Sequence, residues 1–219
     1  MLVTIYAIKI SSPLTRIEFD RYLSFLPQSL IDKTLKFQRQ EDRNEYLLGK
    51  ILLIKLLSKY RCDIKCLNVI EYNPFGKPFI PGLNVDFNIS HSKGYIACAI
   101  GRDCKIGIDI EKIRFMDLEN LLPAMSSEQK SVIQKSPTKI HTFLKYWTIK
   151  ESVLKAEGIG LNYKLEDVYI DTDLNLAFIN ENKFYYKEIF LNHECVGCIS
   201  TNKLNTKIEI KELEPKNII

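Results

Sequence analysis

The sequence lacks any long hydrophobic run and any strong excess of charge of one sign. No stretch of its 219 residues approaches the ~20 apolar residues that a membrane-spanning helix needs, and Met1–Ala7 carries no basic leader. We therefore expect no membrane segment and no signal peptide, and we place the protein in the cytoplasm. The formal net charge of +4 is too small to indicate a nucleic-acid-binding protein, although it suits an anionic ligand. We expect a monomer.

Because no secretory leader is expected, the six cysteines are predicted to be reduced thiols. The alternative is a four-thiolate zinc site made by Cys62, Cys66, Cys195 and Cys198. Cys195 and Cys198 lie in a strand-like run, where a separation of three places two side chains on opposite faces. The spacing therefore argues against zinc.

The hydrophobic content of 46% and the length of 219 residues fit one large or two small globular domains. Apolar periodicity, caps and turn residues predict helices and strands in alternating groups. The predicted helices are 13–26, 29–37, 42–60, 117–122, 127–134 and 136–157, with Ser12 and Ser136 as caps. The predicted strands are 2–10, one starting at 86, the neighbours 95–100 and 105–111, then 168–171, 176–179, 184–190, 195–200 and 207–211. Residues 215–219 are expected to fray.

An acidic strand is the first candidate functional element. In the run Ile106–Glu111, alternation places three isoleucines on one face, and Gly107, Asp109 and Glu111 on the other. Two carboxylates that point the same way repel each other unless a cation lies between them, and a hard divalent cation prefers oxygen ligands. The alternative is a half-buried strand with a solvated acidic face.

A second candidate is Glu151 on the predicted helix 136–157. Its position falls on the hydrophobic stripe of that helix, where an apolar residue is expected, and Lys155 lies one turn further on. A carboxylate on a buried stripe is unfavourable by several kcal/mol unless a cation or a partner compensates it. The alternative is a structural ion pair with Lys155 or Lys150.

Three further segments could bind an anion. Ser90–Gly94 offers hydroxyl, imidazole and ammonium donors, and Phe75–Pro78 forms a turn that presents Lys77 beside exposed backbone. A basic run at near-helical spacing includes Lys33 and Arg39, and it could form a phosphate-binding edge. The alternatives are an ordinary loop and a solvated basic face.

A weak internal repeat appears at an offset of 100 residues. It matches Ile96 with Val196, Cys98 with Cys198 and the run 108–110 with 208–210. The repeat predicts an α+β fold of two similar halves, 1–103 and 104–219, with a site between them. Chance recurrence of β-branched residues in strands is the alternative explanation.

Three motifs in this order and spacing resemble the 4′-phosphopantetheinyl transferases of the type that activates surfactin synthetase. They are Phe87–Ser92, Gly107–Glu111 and Trp147–Gly158, and the turn Phe75–Pro78 fits the same family. The resemblance runs from the start of the chain to about residue 161 and is looser beyond. It implies a pseudo-dimeric α+β fold and transfer of the phosphopantetheine arm of coenzyme A to a carrier-protein serine, with release of 3′,5′-ADP.

The resemblance also implies roles for individual residues. Asp109, Glu111 and Glu151 would hold Mg²⁺, for which Mn²⁺ is a possible substitute. The coenzyme would be bound by its phosphates at Ser90, His91 and Lys155 and by its adenine end at Gly76, Lys77 and Pro78. Lys33 and Arg39 would also bind it, although Leu35 and Tyr46 stand where members often carry arginine and threonine, so contacts to the 3′-phosphate stay open. The catalytic residues would be Glu151, Lys155 and Glu111, with Glu151 the preferred base and Glu111 the runner-up.

The partner implied is an acidic acyl or peptidyl carrier protein, docking at Phe115–Lys135. That segment is rich in apolar side chains, and the alternative is that they pack down as a small core. The alternative functions are a non-catalytic coenzyme A or nucleotide-binding module of the same fold and a Mg²⁺-dependent phosphohydrolase. The sequence leaves the carrier's pathway open among fatty-acid, polyketide and nonribosomal-peptide biosynthesis.

Overall fold

A computed structural model describes residues 1–62, 64–160 and 163–219, and it confirms the α+β class. The described α-helices are Arg16–Leu23 (α1), Gln28–Lys36 (α2), Gln40–Ser58 (α3), Ser127–Lys135 (α4) and Lys139–Glu157 (α5). The described strands are Leu2–Lys9 (β1), Glu71–Tyr72 (β2), Pro78–Phe79 (β3), Val85–Ser92 (β4), Tyr95–Arg102 (β5), Ile106–Lys112 (β6), Tyr169–Asp171 (β7), Leu176–Ile179 (β8), Asn182–Phe190 (β9), Cys195–Thr201 (β10) and Lys207–Leu213 (β11). No described helix is long and apolar enough to cross a membrane.

Two larger sheets form the centre of the molecule. The first has the strand order β11-β1-β5-β4, and the second has the order β6-β10-β9-β8-β7. Strands β5 and β10, which the internal repeat matches, both occupy interior positions of their sheets. The final strand β11 returns to the first sheet and pairs in parallel with β1. Two similar halves are therefore present, while the boundary between 103 and 104 stays a prediction.

Hydrophobic packing stacks these elements in four layers. Helix α3 covers the outer face of the first sheet with Leu47–Leu57 as its buried side, and α5 covers the outer face of the second sheet. Between the sheets, the three isoleucines of β6 pack against Val3, Ile5 and their neighbours. The predicted alternation of β6 is confirmed, because Ile106, Ile108 and Ile110 are fully buried there.

Several predicted boundaries were wrong for identifiable reasons. Helix α1 begins at Arg16 and not at residue 13, because Thr15 forms a capping box with Glu18 that sets the start. Helix α5 begins at Lys139, after Thr138, and it ends as predicted at Gly158, which has a left-handed conformation. The segments 95–100 and 105–111 follow each other in the chain but belong to different sheets.

The tail and two cysteines also differ from expectation. Residues 215–219 do not fray, because Ile218 is fully buried and the Tyr22 hydroxyl donates to the Pro215 carbonyl oxygen. Cys62 and Cys66 form a disulfide, since their Cα atoms lie 6.0 Å apart, within the range that a disulfide spans. The other four cysteines are free thiols.

Gly107 allows α5 to approach β6 more closely than any side chain would permit. A Cβ atom at this position would lie 2.0 Å from the Ser152 carbonyl oxygen and 2.3 Å from the Ala156 nitrogen. Both atoms belong to helix backbone, which cannot move aside as a flexible side chain can. The close contact between strand and helix therefore depends on glycine at this position.

We predict that Gly107→Ala lowers the free energy of unfolding by about 3 kcal/mol or more, because the helix must move off the strand. Urea denaturation measures the change. Gly76→Ala is the control: Gly76 has a φ of +86° but open space around its Cα, so only conformational strain of about 1 kcal/mol is expected. Equal losses in the two variants would contradict the role given to close packing.

Candidate active site

Strands β4 and β6 meet along a seam where side chains of one strand bond to the backbone of the other. The Ile106 nitrogen donates to Asp86 Oδ2 at 2.7 Å, and the Ile108 nitrogen donates to Asn88 Oδ1 at 2.9 Å. The next two amides in the same alternation are those of Ile110 and Lys112, which donate to the hydroxyls of Ser90 and Ser92 at 3.3 and 3.1 Å. These alternate polar residues form a ladder that joins the two sheets.

Asp109 lies at the centre of this seam and is 4% exposed. Its Oδ1 atom accepts from the Ser90 hydroxyl at 3.0 Å and from Lys155 Nζ at 2.5 Å. Its Oδ2 atom is buried and has no hydrogen-bond partner among the residues that the structure describes. A buried carboxylate oxygen without a donor is costly, so this atom is well suited to bind a cation.

Glu111 and Glu151 are two further carboxylates at the same place. Burial raises the pKa of Glu111, and nearby Asp109 raises it further, while the Ser92 hydroxyl at 2.6 Å from Oε2 lowers it in part. Burial also raises the pKa of Glu151, with Asp109 and Glu111 adding to the rise and Lys155 opposing it. Both raised pKa values mean that the site favours the neutral form of these two carboxyl groups over the charged form.

The structural ion pair considered for Glu151 is not the arrangement found. Lys155 Nζ bonds to Asp109 instead, and Lys150 Nζ donates to the carbonyl oxygens of Ala124 and Leu165 at 3.2 and 2.7 Å. Burial lowers the pKa of Lys150 to about 8. Glu151 is therefore left to face the other acids.

A cavity of about 270 Å³ brings the predicted groups together. It is lined by Ile89, Ser90, His91, Asp109, Glu111, Trp147, Glu151 and Lys155. Among the described residues, no three His, Cys, Asp or Glu side chains lie close enough together to hold one metal ion. The donor set nonetheless fits Mg²⁺, since it offers carboxylate oxygens, one of which receives no hydrogen bond from any described residue.

His91 joins this cavity to a larger cleft of about 870 Å³, which it also lines. Its Nδ1 atom lies 2.8 Å from Glu45 Oε2. Glu111 and Arg39 line the same cleft. The cleft is large enough for a nucleotide-sized ligand, so an anion lying in it would reach the acidic cavity past His91.

Comparison with known proteins agrees with this geometry. A family model of the 4′-phosphopantetheinyl transferase superfamily matches residues 105–205, and a model described as 4′-phosphopantetheinyl transferase, N-terminal, matches residues 12–102. The 4′-phosphopantetheinyl transferase Sfp of Bacillus subtilis is 34% identical over 166 residues, covering 74% of this chain and 73% of the relative. The chain belongs to the 4′-phosphopantetheinyl transferase superfamily.

Other members are similar over comparable lengths. The 4′-phosphopantetheinyl transferase gsp of Aneurinibacillus migulanus is 29% identical over 214 residues, covering 90% of this chain and 89% of the relative. The 4′-phosphopantetheinyl transferase HetI of Nostoc is 33% identical over 145 residues, covering 62% of this chain and 60% of the relative. The resemblance stated from the motifs is thereby confirmed.

In this transferase, the turn predicted to bind adenine lies against the end of α5. Lys77 Nζ points inward, where it donates to Asp86 at 2.5 Å and to the carbonyl oxygens of Ile106 and Ala156 at 3.1 Å each. The Lys77 ammonium is therefore held by the protein itself. A role for Gly76, Lys77 and Pro78 at the adenine end stays a prediction, and it would use their backbone or the Lys77 stem.

The predicted basic edge lies on α2 and α3. The Lys33 ammonium is 5.6 Å from the ring centre of Tyr46 and 5.8 Å from that of Tyr72, distances that allow cation–π attraction. Lys50, which the sequence reading missed, lies 5.1 Å from the Tyr46 ring, and burial lowers its pKa to about 8. Contacts of Lys33 and Arg39 with the coenzyme stay predictions.

The predicted docking segment is mostly packed down. The side chains of Met116, Leu118, Leu121 and Leu122 are partly buried against a core cluster that includes Met125 and Phe143. Phe115 is different, since it is 89% exposed beside a groove of about 960 Å³ that Met116 and Ile140 also line. The small-core alternative therefore describes most of the segment, whereas Phe115 is exposed beside a groove, and docking of a carrier here stays a prediction.

The raised pKa values predict how stability depends on pH. The folded state binds a proton on Glu151 more tightly than the unfolded chain does, so stability falls as pH rises from about 4.5 through the raised pKa. In metal-free buffer near neutral pH, Glu151→Gln should therefore be more stable than the wild type. The difference should vanish below the ordinary glutamate pKa of 4.5, where both side chains are neutral.

Urea denaturation at several pH values measures this difference. Adding Mg²⁺ should stabilise the wild type, by about 2.7 kcal/mol at one hundred times the dissociation constant, and should stabilise Glu151→Gln less. Glu181→Gln, in the exposed turn before β9, is the control and should follow the wild type. A Glu151→Gln protein that is less stable at neutral pH would contradict the prediction.

Proposed function

We propose that this protein transfers the 4′-phosphopantetheine arm of coenzyme A to a serine of an acyl or peptidyl carrier protein. The observation that supports it most is one cavity lined by Asp109, Glu111, Glu151 and Lys155, at the seam of two halves. Similarity to enzymes named 4′-phosphopantetheinyl transferase supports the same reaction. A non-catalytic module would have no need of three acids held together in one cavity with a lysine.

The reaction is a displacement at phosphorus. The serine hydroxyl oxygen forms a bond to the phosphorus that carries the pantetheine arm, and the bond from that phosphorus to the bridging oxygen breaks. The bridging oxygen leaves with 3′,5′-ADP. Such a transfer needs positioning and charge neutralisation more than covalent help from the protein.

The residues of this chain supply a base for that step. Glu151 takes the serine proton on its carboxylate, directly or through a water molecule. Glu111 is the second candidate, and burial raises the pKa of both carboxyls in the metal-free protein. Asp109 is the poorer choice because Lys155 already occupies its Oδ1 atom.

Asp109, Glu111 and Glu151 would together hold Mg²⁺, or Mn²⁺, through their carboxylate oxygens. When bound, the cation neutralises negative charge on the phosphate oxygens. Lys155 and His91 face the same cavity and offset charge on the leaving phosphate. Ser90 joins them on condition that its hydroxyl gives up the bond to Asp109.

The N-terminal half, 1–103, would bind most of the coenzyme, and the half 104–219 would supply the acids. Gly76, Lys77 and Pro78 would lie at the adenine end, with Lys33 and Arg39 contributing positive charge. The carrier would dock at Phe115–Lys135, where its acidic surface meets a protein of net charge +4.

We predict that the protein, incubated with coenzyme A, Mg²⁺ and apo carrier proteins from several pathways, adds about 340 Da to a carrier serine, as the mass of the arm requires. Mass spectrometry of the intact carrier measures the gain. Glu151→Gln should lower the rate about 100-fold or more, and chelation of the metal should abolish transfer. Absence of any gain on every carrier would refute the proposed function.

We predict that Phe115→Ala raises the KM for the carrier roughly tenfold, because exposed aromatic side chains often anchor protein interfaces. The KM for coenzyme A should not change. Phe190→Ala is the matched control, since Phe190 is a phenylalanine that is 66% exposed on β9. An unchanged KM for the carrier in Phe115→Ala would contradict docking of the carrier at this groove.

A further inference from the structure

Glu45 is a buried carboxylate on α3 whose two oxygens are both occupied. Its Oε2 atom lies 2.8 Å from Nδ1 of His91, and its Oε1 atom accepts from the Gly94 nitrogen at 2.5 Å. The Glu45 side chain is 8% exposed, whereas the His91 side chain is 51% exposed. One buried acid therefore contacts one side of an accessible imidazole ring.

The surroundings keep Glu45 ionised. Burial raises the pKa of the Glu45 carboxyl, but the hydrogen bonds from His91 and Gly94 outweigh it, so the pKa lies below its ordinary value. An ionised carboxylate can only accept hydrogen bonds, so Nδ1 of His91 must carry the proton that it donates. Nε2 is then the ring nitrogen left for a ligand. A phosphate oxygen only accepts hydrogen bonds, so a ring that binds one donates from both nitrogens, Nδ1 to Glu45 and Nε2 to the phosphate, as the imidazolium.

The contact with Gly94 makes this arrangement rigid. Gly94 has a φ of +86° in the turn between β4 and β5, and its carbonyl oxygen accepts from the Ile10 nitrogen at 2.8 Å. Glu45 thus ties helix α3 to the turn that follows His91. Glu45 therefore contacts the His91 ring at Nδ1 and also holds the backbone turn that follows His91, through the Gly94 nitrogen.

His91 lies where two cavities adjoin, so the orientation of its ring affects any ligand that occupies both. His91 and Glu111 line both the cleft of about 870 Å³ and the acidic cavity of about 270 Å³. A ligand that extends from the cleft into the cavity lies beside the imidazole, because His91 lines both. The direction in which Nε2 points therefore matters for any phosphate in that passage.

We propose that Glu45 is a positioning residue for the transfer reaction, which fixes the His91 ring so that Nε2 faces the phosphates of coenzyme A. The proposal rests on the proposed function, because it assigns His91 to those phosphates. Glu45 itself touches no substrate. It acts through His91, in the way that an outer carboxylate sets the proton position and ring orientation of a histidine.

Glu45→Gln tests the proposal with little change in shape. The amide has one oxygen, so it can replace only one of the two acceptors, and its NH₂ group would face Nδ1 as a donor. We expect kcat/KM for coenzyme A to fall roughly tenfold, with an unchanged KM for the carrier. We also expect the ring proton of His91 to move from Nδ1 to Nε2, which nitrogen NMR of the neutral ring detects in the absence of substrates.

The double variant Glu45→Gln/His91→Asn separates positioning from a merely structural role. If Glu45 acts through His91, then Glu45→Gln should change kcat/KM less than about twofold in the His91→Asn protein. Glu181→Gln, the same chemical change at an exposed turn, should leave kcat/KM unchanged. Thermal unfolding checks that each variant is folded.

Three results would overturn the proposal while wild-type transfer persists. They are an unchanged kcat/KM in Glu45→Gln, an equal loss in both backgrounds, and a proton that stays on Nδ1. If the wild type transfers nothing to any carrier, the proposed function has failed instead, and the NMR experiment still decides whether Glu45 sets the proton position of His91.

Discussion

The side-chain ladder between β4 and β6 is the interaction on which the site depends. In an ordinary sheet, backbone carbonyls accept from the amides of the next strand, whereas here the acceptors are side chains spaced two residues apart. Because strand side chains alternate between faces, Asp86, Asn88, Ser90 and Ser92 all reach the same neighbour. The two serine hydroxyls also donate to Asp109 and Glu111. The residues that join the halves therefore also orient the acids.

The acids are held close together at an electrostatic cost. Burial and nearby carboxylates raise the pKa of both Glu111 and Glu151, and one oxygen of Asp109 accepts from no donor in the described part of the chain. Lys155 brings positive charge into direct contact with them, through one oxygen of Asp109. It reaches that oxygen because Gly107 lets α5 lie directly on β6. Such a cluster of carboxylates favours the binding of a cation, as in other cation-binding centres.

Much of this arrangement could be predicted from the sequence because it follows short periodicities. Alternation in β6 separates the isoleucines from Asp109 and Glu111, and helical spacing places Glu151 one turn before Lys155. Contacts between residues far apart in the chain are less visible in the sequence. The polar residues at 86, 88, 90 and 92 alternate visibly, but their partners lie 20 residues further on in another sheet, so local pattern could not reveal the seam.

Other features depend on tertiary contacts alone. Glu45 reads as one more charged residue of an amphipathic helix, and only the fold brings it to His91. The turn pattern predicts that Lys77 presents its charge beside exposed backbone, yet its ammonium is turned inward because Asp86 and two carbonyl oxygens converge on it. Burial of Ile218 likewise depends on the distant helix α1 and on the cluster beneath it.

The seam also explains why neither proposed half should function by itself. Without β4, four amides of β6 would lose their acceptors, and the isoleucine face of β6 would lose the first sheet that covers it. Without the second half, the first sheet would lose β11, which pairs along β1 from Leu2 to Ile8. Each half thus supplies something that the other needs. The side chains of β4 accept hydrogen bonds from β6, and β11 pairs with β1. A reaction centre placed on that shared boundary is assembled only when the whole chain folds.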